Sequence, residues 1–418
     1  MIISAGKMII GDGKRVIADG SAVIRGRKII AVGKSEDIRS RFTGEDETIY
    51  KTGTLLPGLI DAHVHLGYYY SQLDTYRYDN YLIAYYAAHQ AQMALERGIT
   101  TVRDLASPNG LCRSLSLAGE KGFLKVPRII NAGPAMCCTG GHAHMDGVEE
   151  VDGTDQIRKT VRKQLKDGAD WIKMMATNRD DTPEFTQAEL NACVDECHMR
   201  HVKCAVHAGT QPGIQMSIDA GFDTIEHGTF LTEAQALQMK AHHQAWTPTM
   251  FAYVFLDNYC TQSRPSFGGA TSPTEAFYLK HHAFYRQSAM AYRQHFKKLY
   301  DTGVTVLAGS DMVMREAPAL PLKEELKLMV KFGLTPVEAL ATATGNPACI
   351  LGLGDWIGTI EKGKTADLLV VDGDAAGDIK ALDNVRAVYL DGERLTFGPE
   401  FNVSEYMVPH AQFNAVHG

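Results

Sequence analysis

Eight short runs rich in apolar and β-branched residues, with helix-forming stretches between them, limit the fold of this chain more than any other feature. They are 58–66 (GLIDAHVHL), 99–105 (ITTVRDL), 126–133 (VPRIINAG), 169–177 (ADWIKMMAT), 202–208 (VKCAVHA), 222–228 (FDTIEHG), 245–250 (AWTPTM) and 304–311 (VTVLAGSD). Helical segments such as 186–201 (TQAELNACVDECHMRH) separate them. Strands alternating with helices pair in parallel, and eight such units close into a (β/α)8 barrel. Both chain ends read differently. Residues 21–33 (SAVIRGRKIIAVG) alternate apolar and polar positions around an RGRK turn, and 366–374 and 385–395 are strand-like runs with DG turns. The expected fold class is therefore α/β: a TIM barrel over 58–356, beside a small β-sandwich domain built from both ends, 1–57 and 357–418. Two stretches exceed a minimal barrel. Residues 250–296, rich in aromatics, Gly and Pro, fit an active-site lid or a surface excursion. The aperiodic tail, 396–418, fits a frayed end or a subunit contact.

Composition excludes several classes of function. A net charge of −7 offers no basis for a nucleic-acid or anionic-membrane partner. The opening MIISAGKMIIGDGK lacks a long apolar core, and no window approaches 18 uninterrupted apolar residues, so neither a signal peptide nor a membrane span is expected. Eight cysteines in 418 residues do not form a disulfide framework. Cys193 and Cys197 sit four apart on an expected helix, with no second Cys or His pair in a nearby loop for structural zinc. Reduced, buried thiols in a cytoplasmic protein are the expectation.

Catalytic groups of such barrels gather at the carboxyl ends of the strands. Here strand one ends in His63 and His65, which share a face because strand side chains alternate. Strand four carries Lys173, strand five ends in His207, strand six in His227 and strand eight in Asp311. Each alone has a plain reading: a hydrogen-bonded structural histidine, a helix-capping aspartate, a snorkelling lysine. A second His-x-His pair, His142 and His144, shows that the spacing alone is weak. Five strand ends carrying metal-ligand types together point to one site. Lys173 is the sharpest member, because its strand is otherwise apolar and a bare ammonium there is costly to desolvate. Desolvation favours neutral amine. Reaction with carbon dioxide makes that amine a carbamate, an anion with two oxygen ligands suited to bridging two divalent metals.

Five segments, LLPGLIDAHVHLG, ADWIKMMAT, HAGTQPGIQMSIDAGFDTIEHGT, GSD and IGTIEKGKTADLLVVDGD, resemble the amidohydrolase superfamily over nearly the whole chain. The resemblance is strongest to its prolidase-like group of Xaa-Pro dipeptidases and dipeptidases or carboxypeptidases acting on C-terminal Arg or Lys. Ochratoxin-type amidases, phenylurea hydrolases and imidazolonepropionase-like proteins are relatives. It implies two Zn2+ per chain: His63 and His65 on the more buried ion with Asp311, His207 and His227 on the other, and N6-carboxylated Lys173 and a hydroxide bridging them. It implies amide cleavage in which one metal polarises the carbonyl and Asp311 carries the proton from nucleophile to leaving amine. His142 fits a contact to the substrate carbonyl or carboxylate, or a loop-stabilising role. Tyr253 fits the pocket or its wall. Arg179 stands where relatives usually show glycine, and fits a carboxylate clamp or a surface charge. Tyr68, Tyr69 and Tyr70 would shape the rim. A small-molecule amide or dipeptide is the expected partner. A homo-oligomer is also expected, with Phe397, Phe401, Tyr406 and Phe413 of the tail suiting an interface. Two other readings stand beside this one. A mononuclear deaminase or cyclic-amide hydrolase of the imidazolonepropionase kind would want a glutamate where Thr210 stands. A non-catalytic scaffold would have lost ligands that this chain retains.

Overall fold

The computed structural model describes residues 1–67, 80–143, 147–262, 273–311 and 320–397. Tyr68, Tyr69, Tyr70, His144, Phe401, Tyr406 and Phe413 lie outside the described residues, as does part of the 250–296 stretch.

Each of the eight sequence segments contains a strand. Leu59–Val64, Ile99–Asp104 and Arg128–Asn131 form a three-stranded parallel sheet. A seven-stranded parallel sheet runs Thr305–Val306, Ala245–Thr247, Thr224–His227, Lys203–Ala208, Trp171–Met175, Ala135–Cys137, Val148–Glu150. Backbone hydrogen bonds join the two sheets at both margins. Ala62 N donates to Ala308 O at 2.9 Å and Asp311 N to His63 O at 2.9 Å, while Asp170 N donates to Asn131 O at 2.7 Å. Parallel strands with helices between them and joined margins are the arrangement of a TIM barrel. The third strand is broken: Arg128–Asn131 pairs with one neighbour and Ala135–Cys137 with the other.

The chain ends build one seven-stranded mixed sheet. Its order is Glu393–Arg394, Val385–Leu390, Leu368–Asp372, Glu47–Pro57, Ile2–Ile9, Val16–Arg25, Lys28–Lys34. Among the described residues, hydrogen bonds link all seven strands into this one sheet and define no separate second layer of a sandwich. Period-two alternation buries both of its faces. Leu55, Leu368 and Val370 pack into one apolar cluster, whereas Leu56, Leu369 and Val371 join the barrel's core with Ala87 and Ala91 of helix Asn80–Glu96.

The stretch after strand seven is largely helical. Met250–Gln262, Pro273–Lys280 and His282–Asp301 are helices, and Tyr285, Tyr292 and Phe296 of the last are buried in the core. Much of this stretch is therefore packed structure rather than surface excursion. Among the described residues no helix is long and apolar enough to cross a membrane.

Candidate metal centre and active site

Strand Leu59–Val64 aims Asp61 and His63 to one side, and His65 follows in step. The Nε2 atoms of His63 and His65 lie 3.3 Å apart. Asp311 Oδ1 stands 3.3 Å from the first and 3.1 Å from the second. His227 brings its Nδ1 to 3.6 Å from Asp311 Oδ2. Its ring centroid is 5.2 Å from that of His63 and 4.3 Å from that of His207. Parallel register explains the convergence. Lys173 pairs with Ala205, Met175 with His207 and Ala208 with His227, so the amine sits one layer below the imidazoles.

Two of these groups hold left-handed backbone, His227 with φ 67° and Asp311 with φ 43°. Non-glycine residues adopt it rarely, and it concentrates at functional sites. At His227 it is locked: the carbonyl accepts from Trp246 Nε1 at 2.7 Å and from Tyr292 Oη at 3.1 Å. The kink breaks strand alternation, so Glu226 and His227, though consecutive, both reach the interior. Asp311 is held by Asp61, whose Oδ1 accepts from Ser310 N at 3.0 Å and from His63 N at 3.3 Å. Gly309 lets this segment close on strand one, since a Cβ there would meet His63 Cβ at 2.6 Å.

The donor set fits divalent metal. His63 Nδ1 faces Glu226 Oε2 at 2.7 Å and His65 Nδ1 faces Ala106 O at 3.3 Å. Both contacts call for Nδ1–H tautomers, assigned from these partners. The two Nε2 lone pairs and the Asp311 carboxylate oxygen are then three acceptors converging within about 3.3 Å. Three acceptors repel unless a cation sits among them. His63, His227 and Asp311 each offer a donor atom within 4.8 Å of the others. Burial, with Lys173 adding to it, pushes His207 and His227 well below the ordinary imidazole value, leaving neutral ligands. Burial raises the Asp311 carboxyl, but His63, His65 and His227 outweigh it and hold that group well below the usual range.

Lys173 is 1 % exposed, and among the described residues Nζ makes no hydrogen bond or ion pair. Burial lowers its pKa to about 8 against the opposing pull of Glu226 and Asp311. A substantial neutral fraction at physiological pH follows.

The other expected residues gather above this centre. The His142 ring stacks on His207 with centroids 4.2 Å apart, its Nδ1 is 3.3 Å from Asn178 Oδ1, and burial, then Arg179, lowers its pKa to about 3. Arg179 donates to Asn178 Oδ1 at 3.2 Å, and its guanidinium lies 4.8 Å from the Phe277 ring centroid. It is thus built into the aromatic wall rather than free on the surface. Tyr253 packs edge-on against His227 at 5.8 Å. Thr210 Oγ1 donates to Asp180 O at 2.5 Å.

Several supporting residues escape a reading of strand ends. Arg103, fully buried, donates to Glu226 Oε1 at 3.0 Å, Ala62 O at 2.6 Å and Thr224 Oγ1 at 3.0 Å, and stacks 4.7 Å from the Trp171 ring. Asp104 accepts from Leu66 N at 2.6 Å, fixing the turn after His65. Thr249 Oγ1 meets His227 Nδ1 at 2.7 Å. Glu325 accepts from Met250 N and Phe251 N at 3.0 and 2.6 Å, capping the helix that carries Tyr253. A charged residue inside an apolar strand, such as Arg103 in ITTVRDL, was the one available signal.

A parallel barrel with imidazoles, a carboxylate and a buried amine at its strand ends defines a metal-dependent hydrolase. The amidohydrolase family profile matches residues 54–395, and the chain belongs to that family, whose enzymes hydrolyse carbon–nitrogen bonds with metal. Among its particular relatives, ochratoxinase of Aspergillus niger is 27% identical over 416 residues, covering 89% of this chain and 82% of that one. The crystal structure of a Xaa-Pro dipeptidase with methionine in its active site superposes with a TM-score of 0.83 at 30% identity, covering 95% of this chain and 99% of the other. A prolidase complexed with N-methylphosphonate-L-proline gives 0.81 at 25% identity, covering 95% and 100%. These place the chain in the prolidase-like group of the superfamily.

Proposed function

We propose that this chain is a binuclear zinc hydrolase that cleaves the amide bond of a small carboxylate-bearing substrate, a dipeptide or an N-acyl amino acid. The single observation that carries the reading is Lys173: a buried amine with no hydrogen-bond partner among the described residues, facing Glu226 and Asp311 beneath four imidazoles. Such an amine is primed to add carbon dioxide, releasing a proton and becoming a carbamate. His63, His65 and Asp311 would hold one ion and His207 and His227 the other, with carboxylated Lys173 shared between them. The bound ions would supply Lewis acidity to the substrate carbonyl and to the attacking water.

The chain's own groups do the rest. Asp311 receives the proton of the attacking water on a carboxylate oxygen and returns it to the departing nitrogen as the C–N bond breaks. Its left-handed backbone and the bond from Asp311 N to His63 O fix that carboxylate in place. His142, neutral and stacked on His207, donates toward the substrate's carbonyl oxygen or carboxylate. Arg179 pairs with the substrate carboxylate, and Tyr253 walls the amine-side pocket. A mononuclear deaminase reading is disfavoured by Thr210, whose hydroxyl is engaged by Asp180 O in place of a free acid.

Similarity to a Xaa-Pro dipeptidase, a prolidase and ochratoxinase supports the substrate class. We take 58–356 as the catalytic barrel and 1–57 with 357–418 as a small β domain, acting as a cytoplasmic homo-oligomer. The test is an amine-release assay over dipeptides and N-acyl amino acids with zinc and bicarbonate present. Turnover confined to substrates bearing a free carboxylate supports the reading. Turnover of amidines or cyclic amides alone overturns it.

A further inference from the structure

A second set of metal-ligand types assembles at the other end of strand Lys203–Ala208, and it does not depend on the function proposed above. Helix Gln187–His198 closes with Cys197 and His198, Cys204 opens the strand, and Asp223 immediately precedes strand Thr224–His227. Sequence spacing shows no second pair near Cys193 and Cys197, but the fold supplies partners from other elements. Asp223 Oδ2 lies 3.0 Å from His198 Nε2 and 3.7 Å from Cys204 Sγ. Donor atoms of His198, Cys204 and Asp223 all fall within 4.8 Å of one another. The buried Cys197 thiol is in hydrogen-bonding contact with Cys204 and with Cys193.

These spacings suit tetrahedral zinc. Bond lengths of about 2.0–2.1 Å to N or O and about 2.3 Å to S imply ligand–ligand edges of roughly 3.3 Å for N···O and roughly 3.5 Å for S···O. The 3.0 and 3.7 Å separations bracket those values without large rearrangement. Access is also provided, since His198 is exposed while the thiols are buried.

We infer that His198, Cys204 and Asp223, with water in the fourth position, form a site for Zn2+ or another thiophilic divalent ion. Binding replaces the Cys204 S–H bond by one metal–thiolate bond and releases one proton, and the Asp223 carboxylate joins the thiolate in balancing the ion's charge. The ion would tie the end of one helix to the starts of the strands that bear His207 and His227. Metal here would act on stability rather than on bond cleavage.

Cobalt(II) alone is the probe, added to the reduced full-length protein. The catalytic centre offers only nitrogen and oxygen donors, so thiolate-to-cobalt charge transfer reports on cysteine ligation alone. The expected result is a charge-transfer band whose full intensity corresponds to one thiolate-ligated ion per chain and which vanishes in Cys204→Ser. His198→Ala, a change at an exposed position, should weaken cobalt binding at least about 10-fold and reduce the rise in Tm that metal produces. Absence of the band in reduced wild-type protein overturns the inference, because the cluster would then be a His–Asp surface contact over inert thiols. Persistence of the band in Cys204→Ser overturns it too, because the sulfur would come from elsewhere.

Discussion

His63 Nδ1 and Glu226 Oε2 are 2.7 Å apart in a fully buried contact, and the far side of the same carboxylate is held by Arg103 at 3.0 Å. Burial raises the Glu226 carboxyl, but Arg103, then His63 and Lys173, prevail and keep it ionised. That anion fixes the His63 tautomer, leaving Nε2 bare toward the centre. Glu226→Gln keeps an acceptor for Nδ1–H but removes the charge. It should weaken metal at the His63–His65 position about 10- to 100-fold, measured by chelator competition on folded protein. Arg103→Met strands the carboxylate and should cost about 3–5 kcal/mol of stability, read from denaturant unfolding.

Gly309 is needed for space. An alanine Cβ would meet His63 Cβ at 2.6 Å and Thr247 Cγ2 at 2.8 Å, neither of which is the end of a flexible chain. Gly309→Ala should destabilise by about 1–3 kcal/mol and lower metal occupancy with it. Thermal unfolding and metal analysis of one preparation check both effects.

Much of this centre is legible in the sequence, and the omissions have definite causes. His63, His65, Lys173, His207, His227 and Asp311 stand out because each interrupts or ends an apolar run. Glu226 does not, because strand alternation sends a residue next to His227 to the opposite face, and the left-handed kink that cancels this is a tertiary effect held by Trp246 and Tyr292. Helix Met250–Gln262 is obscured because apolar residues occupy most of its positions, whereas His282–Asp301 buries Tyr285, Ser288, Ala289, Tyr292, Phe296 and Leu299 at helical spacing that the sequence does carry. The cluster at Asp223 is invisible because its members come from a helix, a strand and a loop.

Part of the acid–base linkage should come from Glu325, alongside the buried Asp61 and Asp104 carboxyls, which burial also raises. Burial raises the Glu325 pKa to about 8 from an ordinary 4.5, despite two backbone donors. The folded state therefore holds a proton that the unfolded chain has released. Its contribution to stability is fully present below about 4.5 and is lost as pH rises to about 8. Glu325→Gln should flatten this part of the stability profile. Urea midpoints across that interval give the slope for both proteins, and equal slopes would remove Glu325 as a source.

Arg179→Met keeps the packing against Phe277 but loses the charge. If the guanidinium pairs with substrate carboxylate, kcat/KM for carboxylate-bearing substrates should fall about 10- to 100-fold, the equivalent of one charged hydrogen bond of about 1.5–3 kcal/mol. Esterified or amidated analogues should be unaffected by the substitution. An equal loss on both substrate types would assign Arg179 to the wall alone.

Lys173 decides the account most directly. Metal content and amide turnover are measured together for wild-type protein and Lys173→Ala, with zinc and bicarbonate present and with short carboxylic acids added in a second series. The account predicts two zinc ions per wild-type chain, loss of the shared pair and of turnover in Lys173→Ala, and partial return of both when acetate or propionate occupies the vacated space. Full metal content and undiminished turnover in Lys173→Ala would contradict it.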